Sequence, residues 1–488
     1  MDWLVTPEWW WGREILERGV AAVYVVAFVC AARQFRGLLG SRGLLPVPEF
    51  LARSSFRNSP SVFHLHYSDR FFAGVSWTGV AVSAAVVAGL ADAVPVWLAM
   101  LLWLALWALY LSIVNVGQIW YSFGWESLLL ETGLLMVFLG NDETAPPALV
   151  MWMTRWLLFR VEFGAGLIKL RGDRCWRDFT CLIYHHETQP MPGPLSWFFH
   201  QLPRPFHRIE VAGNHLAQLV VPFGLFAPQP VASFAAAIIV VTQVWLVLSG
   251  NFAWLNWLTI VLAASVIDTS TWASAFGIET PANSPGTQPL WFVTIVMVFT
   301  VVVGVLSWRP ARNLVSRKQR MNSTFEPLHL VNAYGAFGTI GRSRDEVIFE
   351  GTADATLSDE TVWTEYDFKG KPGDVRRRPR QWSPYHLRLD WLMWFAAISP
   401  SYAQSWLGPL CRGMLTNEPA IMRLLGNNPF TARPPAYIRA TLYRYRFSSR
   451  RELLSHRVWW RRELLGEYLA PIGPDEVSRL TGGFRRGR

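Results

Sequence analysis

The sequence predicts a polytopic α-helical membrane protein with a C-terminal extramembrane domain of mixed α and β structure. Three observations carry this. Of 488 residues, 51% are hydrophobic and only 16% charged, well below the quarter usual for soluble domains. Uncharged apolar runs recur through the first 308 residues, each close to the roughly 20 residues that cross a bilayer core. After Trp308 the composition turns polar and arginine-rich for about 180 residues, enough for a small folded domain.

The candidate spans are 15–32, 71–91, 93–114, 119–140, 149–170, 209–226, 231–249, 252–267 and 289–308, about nine transmembrane helices in a domain of residues 1–308. Trp9, Trp10 and Trp11 form an interfacial anchor before the first span. The first turns lack the basic n-region of a secretory signal, so this span is expected to stay in the mature protein. Connections such as 227–230 and 250–251 are so short that their neighbours must be antiparallel. The longer ones are 33–70 and 171–208.

Residues 309–488 form the second domain. Alternating runs at Glu346 to Thr352 and Thr361 to Phe368 read as antiparallel strands, placing a β-sandwich-like part at about 330–392. Beyond Pro384 the pattern returns to helix, with Trp391, Trp394 and Phe395 at helical spacing. The tail is expected to be helical, with Arg450 to Leu469 a basic amphipathic helix on a membrane surface or on the core.

The net charge is +10, yet the only lysines are Lys169, Lys318, Lys369 and Lys371. This skew to arginine fits a GC-rich, bacterial genome. Four cysteines are too few for a disulfide scaffold, and whether Cys175 and Cys181 are bonded stays open. Basic residues at Arg376 to Arg380, and arginines between aromatics at Tyr443 to Phe447, suit a solvated face or anionic lipid better than nucleic acid. The arginine count puts loops 33–70 and 171–208 and the start of the C-terminal domain on one side, which the positive-inside rule assigns to the cytoplasm.

The span 149–170 contains Arg155, Arg160, Glu162 and Lys169. Four central charges cost roughly 10 kcal/mol, against about 3 to 6 returned by its apolar residues, so it should not insert stably alone. Arg155, Glu162 and Lys169 are spaced by seven, drift only about 20° per step and form one polar stripe roughly 20 Å long. Gly164 and Gly166 would admit a close neighbour. The sixth span adds Asn214, His215 and Gln218 on one face. Glu126 and Glu131 lie about 140° apart on the fourth span, so they cannot pair with each other, but one could pair with Arg155 or Arg160.

The stripe is either an internal ion-pair network or a site in which desolvated Lys169 acts as a base. The loop 171–208 gathers Asp173, Cys175, Cys181, His185, His186 and Glu187 into a mouth over it, with Arg171 and His186 completing the candidate catalytic set. No metal centre is expected, because the adjacent His185, His186 and Glu187 cannot easily face one ion together.

Several segments closely resemble the lipase maturation factor family. They are Phe56 to Pro60, Phe123-Gly-Trp-Glu126 with Ser127 to Glu131, Lys169 to Trp176, His185 to Pro192, Val331 to Thr339, Tyr366 to Gly373, Tyr385 to Trp394 and Tyr437 to Phe447. The resemblance implies a multi-pass protein of the endoplasmic reticulum membrane, or of the inner membrane in a bacterial member, that assists the folding of exported lipases. Its implied partners are membrane lipid and an exported client protein, with the C-terminal domain on the exported side, against the arginine count. Ala165-Gly-Leu-Ile-Lys169-Leu is also similar to the lysine-bearing segment of vitamin K-dependent gamma-carboxylases. That likeness implies Lys169 as general base and admits a lipid-soluble cofactor. The carboxylases' Asn-Asn-His signature is replaced here by Trp125-Glu126-Ser127.

Overall fold

The computed structural model describes residues 6–277 and 288–477. The main helices of the first domain are α1 (Trp10–Leu38), α2 (Asp69–Val87), α3 (Val96–Val116), α4 (Gly124–Met136), α5 (Ala148–Arg171), α6 (Leu182–Thr188), α7 (Arg204–Leu219), α8 (Val231–Ser249), α9 (Leu255–Ala264), α10 (Thr269–Phe276) and α11 (Leu290–Leu306). Prolines 95, 147, 203, 230 and 289 sit at the N-caps of α3, α5, α7, α8 and α11. There a missing N–H removes no intrahelical bond.

Among the described residues, five helices are long and apolar enough to cross a membrane, and a sixth span is gained if α9 and α10, bent by 99°, count as one. Nine is not reached by this measure, for physical reasons. Helix α4 has 13 residues, about 20 Å of helix. Helix α5 is long enough at 24 residues but carries four charges within its expected span. Helix α7 ends at Leu219, and the chain restarts as a separate short turn, Val221–Gly224.

At one end of the bundle Arg13 binds the Asp142 carboxylate and the Asn141 carbonyl, and Arg18 reaches Asp92 at 2.7 Å. At the other end the two long loops meet the C-terminal domain: Asn115 donates to the carbonyls of Pro60 (2.9 Å) and Pro327 (3.1 Å), and Arg342 pairs with Asp173 at 2.8 Å. These are the segments grouped on one side by their arginines. One buried apolar cluster runs from the membrane helices into the C-terminal domain.

The second domain has one antiparallel sheet in the order β2-β1-β3-β4, from β1 (Arg344–Thr352), β2 (Thr364–Glu365), β3 (Tyr437–Phe447) and β4 (Trp460–Ile472). The expected strand pair is present, with Glu350 opposite Glu365. The sheet does not close within 330–392, since β3 and β4 come from beyond it. Helix α12 (Arg388–Ile398) follows Pro384 as expected and sets Trp391 against Trp125 at 4.9 Å.

The amphipathic helix expected over 450–469 is corrected. A capping box at Ser449 and Glu452 starts a helix, but it stops at His456, where Arg457 adopts a left-handed φ of 54°. The rest is β4, paired along β3 from Ile438 to Phe447, with Trp460 stacked on Phe447 at 4.1 Å. The arginines of Tyr443 to Phe447 belong to strand β3, where Arg444 pairs with Asp345. Residues 478–488 of the expected tail lie outside the described residues.

Candidate functional site

Helix α5 presents its charges to three different neighbours. The Arg155 guanidinium lies over the Trp9 ring (4.1 Å) and donates to the Leu225 carbonyl at 3.1 Å. Arg160 pairs with Glu131, one of the two partners the sequence offered. Glu131 also accepts from the Asn332 backbone N–H (2.9 Å) and the Tyr334 hydroxyl (2.7 Å), while Arg160 donates to the Asn332 carbonyl (2.6 Å). The close approach is possible because a Cβ on Gly164 would stand 2.5 Å from the Tyr334 carbonyl oxygen.

Glu126 pairs with neither α5 arginine. It accepts from Arg388 of α12 at 2.6 Å and from the Tyr110 hydroxyl, and the Arg388 guanidinium lies 3.5 Å from the Tyr121 ring centroid. Both glutamates therefore bind the C-terminal domain into the helical bundle.

Glu162 and Lys169 form the third group. Lys169 Nζ donates to Asn214 Oδ1 (2.9 Å) and Gln218 Oε1 (2.7 Å), and Gln218 Nε2 donates to Glu162 Oε2 at 3.1 Å. The other Glu162 oxygen accepts from Gln243 Nε2 at 2.5 Å, and Gln243 Oε1 accepts from Asn256 Nδ2 at 2.6 Å. The result is one chain, Lys169–Gln218–Glu162–Gln243–Asn256, in which amides separate the two charges. His215 leaves this face and bonds the Trp176 carbonyl at 3.0 Å.

This chain borders a cavity of about 1370 Å³ between the bundle and the C-terminal domain, walled mainly by apolar groups including Phe123, Trp125, Phe252, Trp394 and Phe395. That volume exceeds a typical small-ligand pocket of roughly 300–1,000 Å³. Arg171, His185 and His186 also line it, whereas Asp173, Cys175, Cys181 and Glu187 of the expected mouth do not. Cys175 and Cys181 are joined by a disulfide. Asp173 caps the turn that carries Cys175, accepting from its N–H at 2.9 Å. Burial between Phe252 and Phe337 pushes the His185 imidazole down to about 3. Glu187 is turned away, accepting from the Phe447 N–H at 2.5 Å.

Sequence reasoning missed Gln243 and Asn256, and the signal was a lone amide on each of two uncharged spans. It also missed His207 and Glu210, three residues apart on α7: the Glu210 carboxylate bonds His207 Nδ1 at 2.8 Å and stands 3.6 Å from His186 Nε2. Their i,i+3 spacing was visible, but not their meeting with His186. Arg388, Asn332 and Tyr334 were out of reach because their partners lie some 200 residues away or more.

The family model for the lipase maturation factor transmembrane domain matches residues 11–274, and that for the lipase maturation factor C-terminal domain matches residues 330–470. Lipase maturation factor 1 of Bos taurus is 42% identical, the alignment covering 96% of this chain and 90% of the relative. The Homo sapiens lipase maturation factor 1 is 39% identical over 97% of this chain and 90% of its own length. Lipase maturation factor 2 of Homo sapiens is 28% identical over 96% and 84%. None of these relatives is named as a carboxylase. No solved structure matches.

Proposed function

Because the chain belongs to the lipase maturation factor family, we propose that this integral membrane protein assists a lipase-class client to its folded, exported form. The observation that carries the reading is 42% identity across both domains to a lipase maturation factor. Location in the endoplasmic reticulum membrane is part of it, drawn from the family; the vertebrate relatives give a bacterial inner membrane no support. So are nine membrane passes, with α4 and α5 shielded inside the bundle. An exported-side mouth and C-terminal domain are supported by the Cys175–Cys181 disulfide, since such bonds persist in oxidising compartments. Membrane lipid is the occupant suited to the apolar cavity walls.

The reading is tested in animal cells lacking their own factor, supplied with this chain and a secreted lipase. Restored specific activity of the secreted lipase is expected. Unchanged retention of inactive lipase, with this chain correctly inserted, overturns it. In the same assay Lys169→Met separates a structural lysine from a general base. Both Lys169 hydrogen bonds go to amide oxygens that hold it as a donor, so Lys169→Met is expected to lower protein yield while keeping activity per molecule. A well-folded but inactive variant would instead make Lys169 catalytic.

A further inference from the structure

We propose that His186, His207 and Glu210 form a binding site for a divalent transition-metal ion of the zinc class at the rim of the cavity. The donor atoms of the three side chains lie within 4.8 Å of one another. Two imidazoles and one carboxylate suit zinc, whose bonds of about 2.0–2.2 Å put tetrahedral ligands roughly 3.3 Å apart. His186 Nε2 already stands 3.6 Å from Glu210, beyond hydrogen-bond reach. The 2.8 Å hydrogen bond between His207 and Glu210 would widen to take an ion.

The second observation is His186 itself. It is 2% exposed, yet neither ring nitrogen has a hydrogen-bond partner among the described residues. Neutral imidazole carries one donor and one acceptor, and buried polar atoms of this kind normally find a partner. A metal ion at Nε2 would supply one. The ring is held against Phe199 at 5.6 Å. Trp245 Nε1 donates to the other Glu210 oxygen at 3.1 Å, the outer-shell contact that commonly orients a ligating carboxylate.

Three protein ligands leave a tetrahedral ion one further position. His186 and Glu210 both line the cavity, so that position would be reachable from the space over Lys169. His185 and Glu187, which flank His186 in sequence, take no part, because helix α6 turns them elsewhere.

The test uses full-length protein in detergent, purified through a histidine-free tag, stripped with chelator and titrated with Zn²⁺ and with Co²⁺ as spectroscopic probe. One tightly held ion per chain and the intense visible bands of four-coordinate Co²⁺ are expected. His207→Ala and Glu210→Gln should each weaken binding by more than the roughly 10- to 100-fold lost on outer-shell changes. Trp245→Phe should fall within that range, and His456→Ala, an exposed histidine, should change nothing. No retained ion in the wild type, a six-coordinate Co²⁺ spectrum, or undiminished binding in His207→Ala and Glu210→Gln would overturn the site. The wild-type spectrum decides even where a variant fails to fold.

Discussion

Two buried charge systems lie side by side in this protein and are built in opposite ways. At Glu126–Arg388 and Glu131–Arg160 the ions touch directly, the carboxylates accept further hydrogen bonds from Tyr110, Asn332 and Tyr334, and each site grips the C-terminal domain. Between Glu162 and Lys169 the ions are held apart by Gln218, every link is a side chain, and the group borders a cavity. Direct pairs suit a fixed joint, because removing either ion strands the other. An amide-bridged pair can lose a member and still re-pair its amides, so it suits a surface that meets something variable.

The largest effect should come from Arg388→Met, which leaves Glu126 without a counter-ion in a site of zero exposure. A loss of about 3–5 kcal/mol is expected, read as a lower melting temperature in detergent. The double variant Glu126→Leu with Arg388→Met should recover most of it. Arg160→Met should cost about 3 kcal/mol and speed hydrogen exchange at residues 332–334 more than anywhere in the sheet.

Acid should act on the fixed joints. Burial, helped by the Arg388 charge, pushes His386 down to about 4, and burial does the same to His329. Both are neutral in the folded protein near neutrality, and the unfolded chain takes up their protons first. Stability should therefore fall as pH drops from about 6.5 to about 4, by up to about 1.4 kcal/mol per pH unit for each histidine. Thermal melts across that range check the slope, and His386→Phe should remove its share and leave that of His329.

The smallest effect belongs to Glu162→Gln, which keeps one acceptor oxygen for Gln218, needs the Gln243 and Asn256 amides to flip to meet its new NH2, and should cost about 1–2 kcal/mol. A loss as large as that of Arg388→Met would erase the distinction between the two systems.

The legible parts were those governed by short-range physics. The α8 bounds equal the expected span because its 19 residues carry no charge. Arg160 found an acidic partner because a charge in a membrane helix needs one. Lys169 met Asn214 and Gln218 because a polar face seeks another. The failures are non-local. Glu126 bonds an arginine 262 residues away, in a domain whose polarity gave no sign of it. The 450–469 segment was amphipathic at helical spacing, but pairing with β3 decided its form.

The joint between Glu126 and Arg388 also has a timetable. The two residues are 262 positions apart, and at about 5–20 residues per second a ribosome needs roughly 13–50 s to get from one to the other. Glu131 meets Arg160 after only 29 residues, but Glu126 enters the bundle long before its arginine exists. The helical bundle therefore cannot reach its final form while only the first domain has been made. It is completed only when the second domain arrives, so a chain truncated before Arg388 would carry an unanswered carboxylate for quality control to find.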